Sequence, residues 1–369
     1  MKTLAAKDFS IFSLAEKSCE TMMKRKAEEL PPKGRFHYHQ GVFLLGMYEI
    51  YLLTKKEKYF EYIKAWVDSL IDKNGEILYM EKTELDDIQP GNLLFPLFEK
   101  TGDERYKKAM DMLINLLDNW EKTYDGGFWH KDSYAANQMW LDGIYMAAPF
   151  MARYAKKFGR ADLWAEVKKQ TELMNEHLRD EKTGLFYHAW DSEKSVFWAD
   201  KETGRSPEFW GRAMGWYTVA MLEIMETLPE ESPDREFYAE CERKIINSLV
   251  KYSDEKTGLW YQIVDKKDNP DNWPELSCTF LYIASIAKGI KMGVFDESYK
   301  KYIEKAVKTI KGMLEFEGDD LMVGDVVVGT GVEFYKYYVS QPKCKNDLHG
   351  VGAFLIMCGE LVKLYGDKI

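Results

Sequence analysis

Apolar residues return every three or four positions along most of this chain, the spacing of helices that bury one broad face. The stripe Tyr106, Met110, Leu113, Leu117 and Trp120 is the clearest case, and Trp140, Ile144, Ala147, Met151, Tyr154 and Phe158 form another. Periodicity and cap residues together predict twelve helices, near 9–28, 37–54, 57–71, 88–100, 103–120, 138–158, 161–178, 207–228, 234–252, 274–291, 297–315 and 346–365. Proline marks three starts, at Ser206-Pro207, Ser232-Pro233 and Trp273-Pro274, and Gly102 followed by Asp103 reads as a stop and a new cap.

The links between these helices alternate. Those at 55–56, 101–102, 159–160, 229–233 and 292–296 are short, whereas those at 72–87, 121–137, 179–206, 253–273 and 316–345 are long and aromatic. The long links also repeat one another. Asp180-Glu181-Lys182-Thr183-Gly184-Leu185-Phe186-Tyr187 returns as Asp254-Glu255-Lys256-Thr257-Gly258-Leu259-Trp260-Tyr261, with weaker versions from Asp72 and from Tyr124. Self-similarity over such distances signals a repeat architecture. Twelve helices joined this way predict an all-α chain, an (α/α)6 barrel of six helical hairpins, with residues 1–369 as one domain. An open helical solenoid is the alternative, although its repeats should be more regular in length.

Composition adds limits. The chain is 46% hydrophobic and 30% charged with a net charge of −10, and no block of Lys and Arg interleaved with aromatics points to nucleic acid. No continuous apolar run suggests a bilayer span, and residues 1–20 lack the apolar core of a signal peptide, so a cytoplasmic location without membrane association is expected. Cys19, Cys241, Cys278, Cys344 and Cys358 lie far apart and suggest free thiols rather than disulfides or a zinc site. Aromatics are abundant, with 11 Trp, 23 Tyr and 19 Phe, many of them in the long links. Such residues suit the C–H faces of sugars and suit a large core equally well.

In a ring of hairpins, the helices that follow the long links lie inside and their N-termini converge. That end would gather His37, His39 and Gln40, Asp87, Asp142, Arg212 and Trp216, Thr279, and His349 with Gly350, while the long links add His130, Lys131 and His188. Positive helix ends with basic side chains around them favour an anion such as a carboxylate. Asp142, between aromatics at the start of an apolar helix, is placed to keep its proton, the state a general acid needs. Backbone hydrogen bonding of a buried Asp is the plainer explanation of the same position.

Three motifs carry a resemblance. Met139-Trp140-Leu141-Asp142-Gly143, Phe209-Trp210-Gly211-Arg212-Ala213-Met214-Gly215-Trp216 and Asn346-Asp347-Leu348-His349-Gly350-Val351-Gly352-Ala353-Phe354 resemble those of glycoside hydrolase family 105, the unsaturated rhamnogalacturonyl hydrolases, relatives of the family 88 unsaturated glucuronyl hydrolases. The likeness runs from about residue 35 to 365. It implies an (α/α)6 barrel that acts on lyase-generated oligosaccharides by hydrating the C4=C5 bond of a terminal unsaturated uronic acid. By resemblance, Asp142 is the general acid and base, and Asp87 hydrogen-bonds the sugar and keeps Asp142 protonated. His188, Arg212, Trp210, Trp216, His130 and Lys131 are implied to bind substrate, as are Trp140, Tyr38, His349 and Gly350. No metal or organic cofactor is implied, and the oligomeric state is not set.

Taken alone, Asp87 is also a plain helix cap, His188 a solvated loop histidine, and the tryptophans core residues. His177 lies on a helix without polar neighbours of interest and receives no role. An inverting glycosidase, with Asp142 as acid and Asp87 as base on a saturated sugar, is the nearest rival. A sugar epimerase would rely on paired histidines at the mouth, and a carbohydrate-binding barrel would have no chemistry. Rhamnose, from rhamnogalacturonan, is the expected second sugar of the substrate.

Overall fold

A computed structural model describes residues 5–367 and 369. Its helices are α1 (Ile11–Met22), α2 (Tyr38–Thr54), α3 (Glu57–Asp68), α4 (Leu94–Thr101), α5 (Glu104–Asp118), α6 (Gly143–Phe158), α7 (Asp162–Leu178), α8 (Gly211–Thr227), α9 (Asp234–Leu249), α10 (Leu276–Lys291), α11 (Lys300–Met313), α12 (Tyr335–Ser340) and α13 (Leu348–Tyr365). Inner helices α2, α4, α6, α8, α10 and α13 pack side by side, a 3-10 run at Gln89–Leu93 extending α4, and α13 closes onto α2. Each outer helix packs on the inner helix before it in the circle, α3 on α2, α5 on α4 and so on to α1 on α13. This is the (α/α)6 barrel that the alternating links predict.

Burial separates the two rings. In α8 every residue except Glu223 and Glu226 is buried, whereas α11 buries only Ile303, Ala306, Val307 and Ile310. The same contrast explains α13, which is long and apolar enough to cross a membrane, contrary to the sequence reading. Of its residues 78% are buried inside the protein, because α13 touches α2, α10 and α1.

The seam between α2 and α13 is unusually close. A Cβ on Gly46 would lie 2.9 Å from the carbonyl oxygen of Gly352, and one on Gly352 would lie 2.7 Å from the backbone nitrogen of Phe43. Only hydrogen at both positions lets the backbones meet.

Several starts differ from expectation. The predicted helix 138–158 begins instead as a strand, β1 (Gln138–Trp140), which pairs antiparallel with β2 (Ala189–Asp191), and α6 starts at Gly143. Asp142 is therefore the residue that precedes the helix rather than one within its first turns. Pro207 and Pro274 lie before α8 and α10 rather than at their first turns. The segment 316–345, expected as a loop, holds α12, most of the β3 (Glu315–Glu317) and β4 (Asp320–Met322) hairpin, and two further short strands, β5 (Val326–Val327) pairing β6 (Lys343–Cys344). The repeated links are tight turns: the carboxylates of Asp180 and Asp254 each accept from the amide and hydroxyl of the Thr three residues on. All five cysteines are free.

The two ends of the barrel are built differently. At the C-terminal ends of the inner helices, Arg153 pairs with Glu223 at 2.7 Å, Lys363 with Glu49 at 2.6 Å and Glu360 at 2.8 Å, and Lys288 with Glu226. These pairs lie around a small cavity of about 70 Å³ lined also by Tyr145, Val219 and Ile356. The long links cover the opposite end, where the inner N-termini meet.

Candidate active site

At that mouth, side-chain contacts run in an unbroken circle. His130 stacks on Trp140, with ring centroids 4.4 Å apart and planes 8° from parallel. Trp140 meets His188 at 5.6 Å, and His188 meets Trp210 at 4.5 Å. Arg212 lies over Trp210 at 4.6 Å, and its Nη1 is 2.8 Å from His349 Nε2. His349 meets His39 at 5.0 Å, and His39 meets Tyr38 at 4.4 Å. His37 then packs on Tyr38, and both His37 and His130 place Nε2 3.7 Å from Asp86.

Asp142 stands inside this circle. Strand β1 sets it there, since Leu141 N–H donates to His188 O and Trp140 pairs with Ala189. One oxygen, Oδ1, is covered by protein and has no hydrogen-bond partner. Burial lifts its pKa to about 6, opposed by the backbone amides of Asp142 and Gly143 and the charge of Arg212. The carboxylate acts electrostatically on Asp86, Tyr38, Tyr134 and Tyr338, which come from four separate segments.

The second acid of the circle is Asp86, not the expected Asp87. Asp86 keeps 14% of its side-chain surface exposed, and burial followed by the charges of Glu84, Asp142 and Asp87 raises its pKa well above the carboxylate range. The Asp142 charge is thus one of the causes that raise Asp86, whereas Asp142 itself is raised by burial. Asp87 is fully enclosed, accepts from Arg35 and from the Glu81 amide, and offers no surface to a ligand. Burial moves it to about 7 against the pull of Arg35.

Other expected ligand contacts prove to be supports. Lys131 is buried between Glu81 at 2.6 Å and Glu84 at 2.9 Å, which hold it protonated despite desolvation. Arg212 is 1% exposed; it donates to the carbonyls of Val327 at 2.6 Å and Val328 at 2.7 Å. Buried Glu275 accepts from Val327 N–H at 3.0 Å, so β5 is gripped from both sides. Gly350 lets β5 approach, because a Cβ there would lie 2.8 Å from Val326. Trp216 is core, stacked on Tyr145 at 4.8 Å.

Burial lowers the pKa of four histidines of the circle, His37, His39, His130 and His188. Burial, followed by neighbouring positive groups, lowers His37 to about 2 and His130 to about 3. His39 falls to about 3, with Asp347 opposing, and His188 falls well below its usual value. His130 Nδ1, His188 Nε2 and Trp210 Nε1 are buried without partners. His188 Nδ1 is 2.7 Å from the hydroxyl of Tyr338, a residue of α12 that the periodicity did not reveal. His177, given no role, in fact pairs with Asp125 at 2.6 Å and stacks on Trp190 of β2 at 3.7 Å.

Two groups hold metal-type donors, His39 with Asp347 and His349, and His37 with Glu84 and Asp86. Protein cations already serve both: Arg212 faces His349, whose Nδ1 lies 2.7 Å from Asp347, while Arg35 and Lys131 bind Glu84. The donors fit an organic ligand with hydroxyls better than an ion.

The sequence from residue 14 to 365 matches the model of Glycosyl Hydrolase Family 88. An unsaturated rhamnogalacturonyl hydrolase of Bacillus subtilis, YesR, is 28% identical over 297 residues, which is 79% of each chain. An unsaturated 3S-rhamnoglycuronyl hydrolase of an Alteromonas species is 25% identical, over 81% of this chain and 75% of that protein. A family 105 glycoside hydrolase of C. acetobutylicum superposes with a TM-score of 0.90 and 31% identity, covering 95% of this chain and 99% of the other. The chain belongs to glycosyl hydrolase family 88, beside the family 105 enzymes, and is a glycoside hydrolase of the unsaturated rhamnogalacturonyl hydrolase type.

Proposed function

We propose that the protein removes a Δ4,5-unsaturated uronic acid from the non-reducing end of lyase-generated oligosaccharides, with unsaturated rhamnogalacturonan disaccharide as its substrate. The observation that carries this reading is the covered, unpartnered Oδ1 of Asp142, whose carboxyl burial raises to about 6. Protonated Asp142 delivers a proton to C4 while water adds to C5; the water's proton returns to Asp142. The C5 hemiketal then opens to a ketone, the ring oxygen stays on C1, and the resulting hemiacetal expels the second sugar as an alcohol. Asp86 takes the role expected of Asp87: it hydrogen-bonds the sugar and opposes ionisation of Asp142. Neutral His130 and His188 offer ring nitrogens to hydroxyls, and Trp140 and Trp210 shape the walls. An inverting glycosidase needs its second carboxylate ionised as a base, and the environment of Asp86 works against that.

The names of the relatives support the substrate class, YesR the rhamnose-linked form in particular. The test is to incubate the protein with unsaturated rhamnogalacturonan disaccharide and follow the ultraviolet absorbance of the C4=C5 enol ether. Loss of absorbance with release of rhamnose is the expected result. Loss on a different unsaturated uronide would replace the second sugar, and no loss on any would overturn the hydration chemistry.

A further inference from the structure

Two phenylalanines stand out to solvent at the mouth for no structural reason. Phe197 is 64% exposed and Phe334 49% exposed, although they come from links more than a hundred residues apart in sequence their ring centroids are 6.1 Å apart. Tyr134, 62% exposed, lies 6.1 Å from Trp140. Exposed aromatics grouped in this way mark a contact surface more often than a defect of packing.

These rings stand on a firm base. The neighbours of Phe197 and Phe334 in sequence, Trp198 and Val332, are buried in a small core with Ala135, Ala189 and Trp140, the tryptophan two residues before Asp142. Buried Asp191 at the end of β2 accepts from the amides of Glu193, Ser195 and Val196, which fixes the turn leading to Phe197. Tyr338, four residues after Phe334, joins His188 of the catalytic circle and accepts from the amide of Glu333. Both rings are therefore held out by segments whose other side chains build the site itself.

The lysines nearby reach towards the protein: Lys201 Nζ donates to the carbonyls of Lys194 and Val196, Lys194 Nζ to that of Glu202, and Lys336 Nζ is 2.6 Å from Asp271. The C–H face of a pyranose would find two exposed aromatic faces beside them.

We infer that Phe197 and Phe334 form a platform for the C–H face of a sugar of the leaving oligosaccharide, beyond the first sugar after the scissile bond, so that the protein binds longer chains more tightly than the disaccharide. This rests on the proposed function and names the substrate length. Stacking on an aromatic pair is expected to favour the longer chain by about 3- to 10-fold in affinity.

The experiment compares lyase-generated unsaturated rhamnogalacturonan di- and tetrasaccharide in two ways. In turnover, kcat/KM should rise with length through a lower KM, and the rise should disappear in F197A/F334A and persist in F197W. In calorimetric titration of the Asp142→Asn variant, Kd should be lower for the tetrasaccharide, and F197A/F334A in that background should remove the difference. Equal affinities for both lengths, or a length effect that survives F197A/F334A, would overturn the platform. Length-dependent binding without any turnover of wild-type protein would leave the platform standing and overturn the hydration chemistry instead.

Discussion

The two ends of this barrel treat their polar side chains in different ways. At the closed end, Arg153, Lys288 and Lys363 each face a glutamate across the space between inner helices. At the open end, Asp142 Oδ1, His130 Nδ1, His188 Nε2 and Trp210 Nε1 are covered by protein and meet nothing. A buried polar group without a partner destabilises a fold by about 1–3 kcal/mol, so a cluster of them persists only where something outside the chain completes it. Ion pairs tie the inner helices together at one end, and the unpartnered groups at the mouth are the ones that the proposed function assigns to substrate. The contrast extends to protons, because at the mouth burial raises Asp142 to about 6 and lowers His37, His39 and His130 to about 2 or 3.

Substitutions at each end should separate these duties. Asp142→Asn should lower kcat by about 10³–10⁴-fold, measured by the absorbance assay, with an unchanged circular dichroism spectrum, since an amide delivers no proton. Asp86→Asn should lower kcat by about 10²-fold with little effect on stability. Asp87→Asn should do the reverse, costing about 1–3 kcal/mol in urea unfolding because Arg35 and the Glu81 amide lose their ionised acceptor, with kcat close to wild type. If Asp87→Asn proved the slower of the two, the assignment of the second acid would return to the sequence expectation.

Acidity offers a subtler comparison. Asp142 acts in its protonated form, so kcat/KM should fall by up to about tenfold per pH unit as pH rises above about 6. His37, His39 and His130, lowered to about 2 or 3, should add no step between pH 5 and 8. A profile flat across that window would contradict the assignment of the acid. The smallest effect is expected at the closed end. Glu223→Gln weakens the ion pair with Arg153 and should cost about 1 kcal/mol in urea unfolding while kcat/KM remains at the wild-type value.

The barrel was legible in sequence because twelve amphipathic stripes and alternating link lengths leave few other ways to bury so much apolar surface. Asp142 was legible because an acid at the head of an apolar helix is costly without a purpose. The choice between Asp86 and Asp87 was not, for residues 85–93 form two short 3-10 turns, whose faces differ from those of the α-helix that periodicity assumes. The motif singled out Arg212 as a ligand contact and did not reveal its backbone partners at Val327 and Val328, more than a hundred residues later. Tyr338 lay in a stretch with no clear period, and the polar partner of His177, Asp125, is supplied by the link before α6. Position is local information, whereas partnership between distant segments requires the folded chain.

The glycine seam between α2 and α13 also bears on how the protein assembles. Its two sides are separated by roughly 300 residues of chain, so the final docking must overcome a large loop-closure entropy before any contact there forms. Until then the other hairpins make an open arc with an apolar flank at each end, the form most prone to capture another copy. A larger residue at Gly46 or Gly352 should therefore slow refolding and raise aggregation more than it lowers the activity of molecules that have already closed.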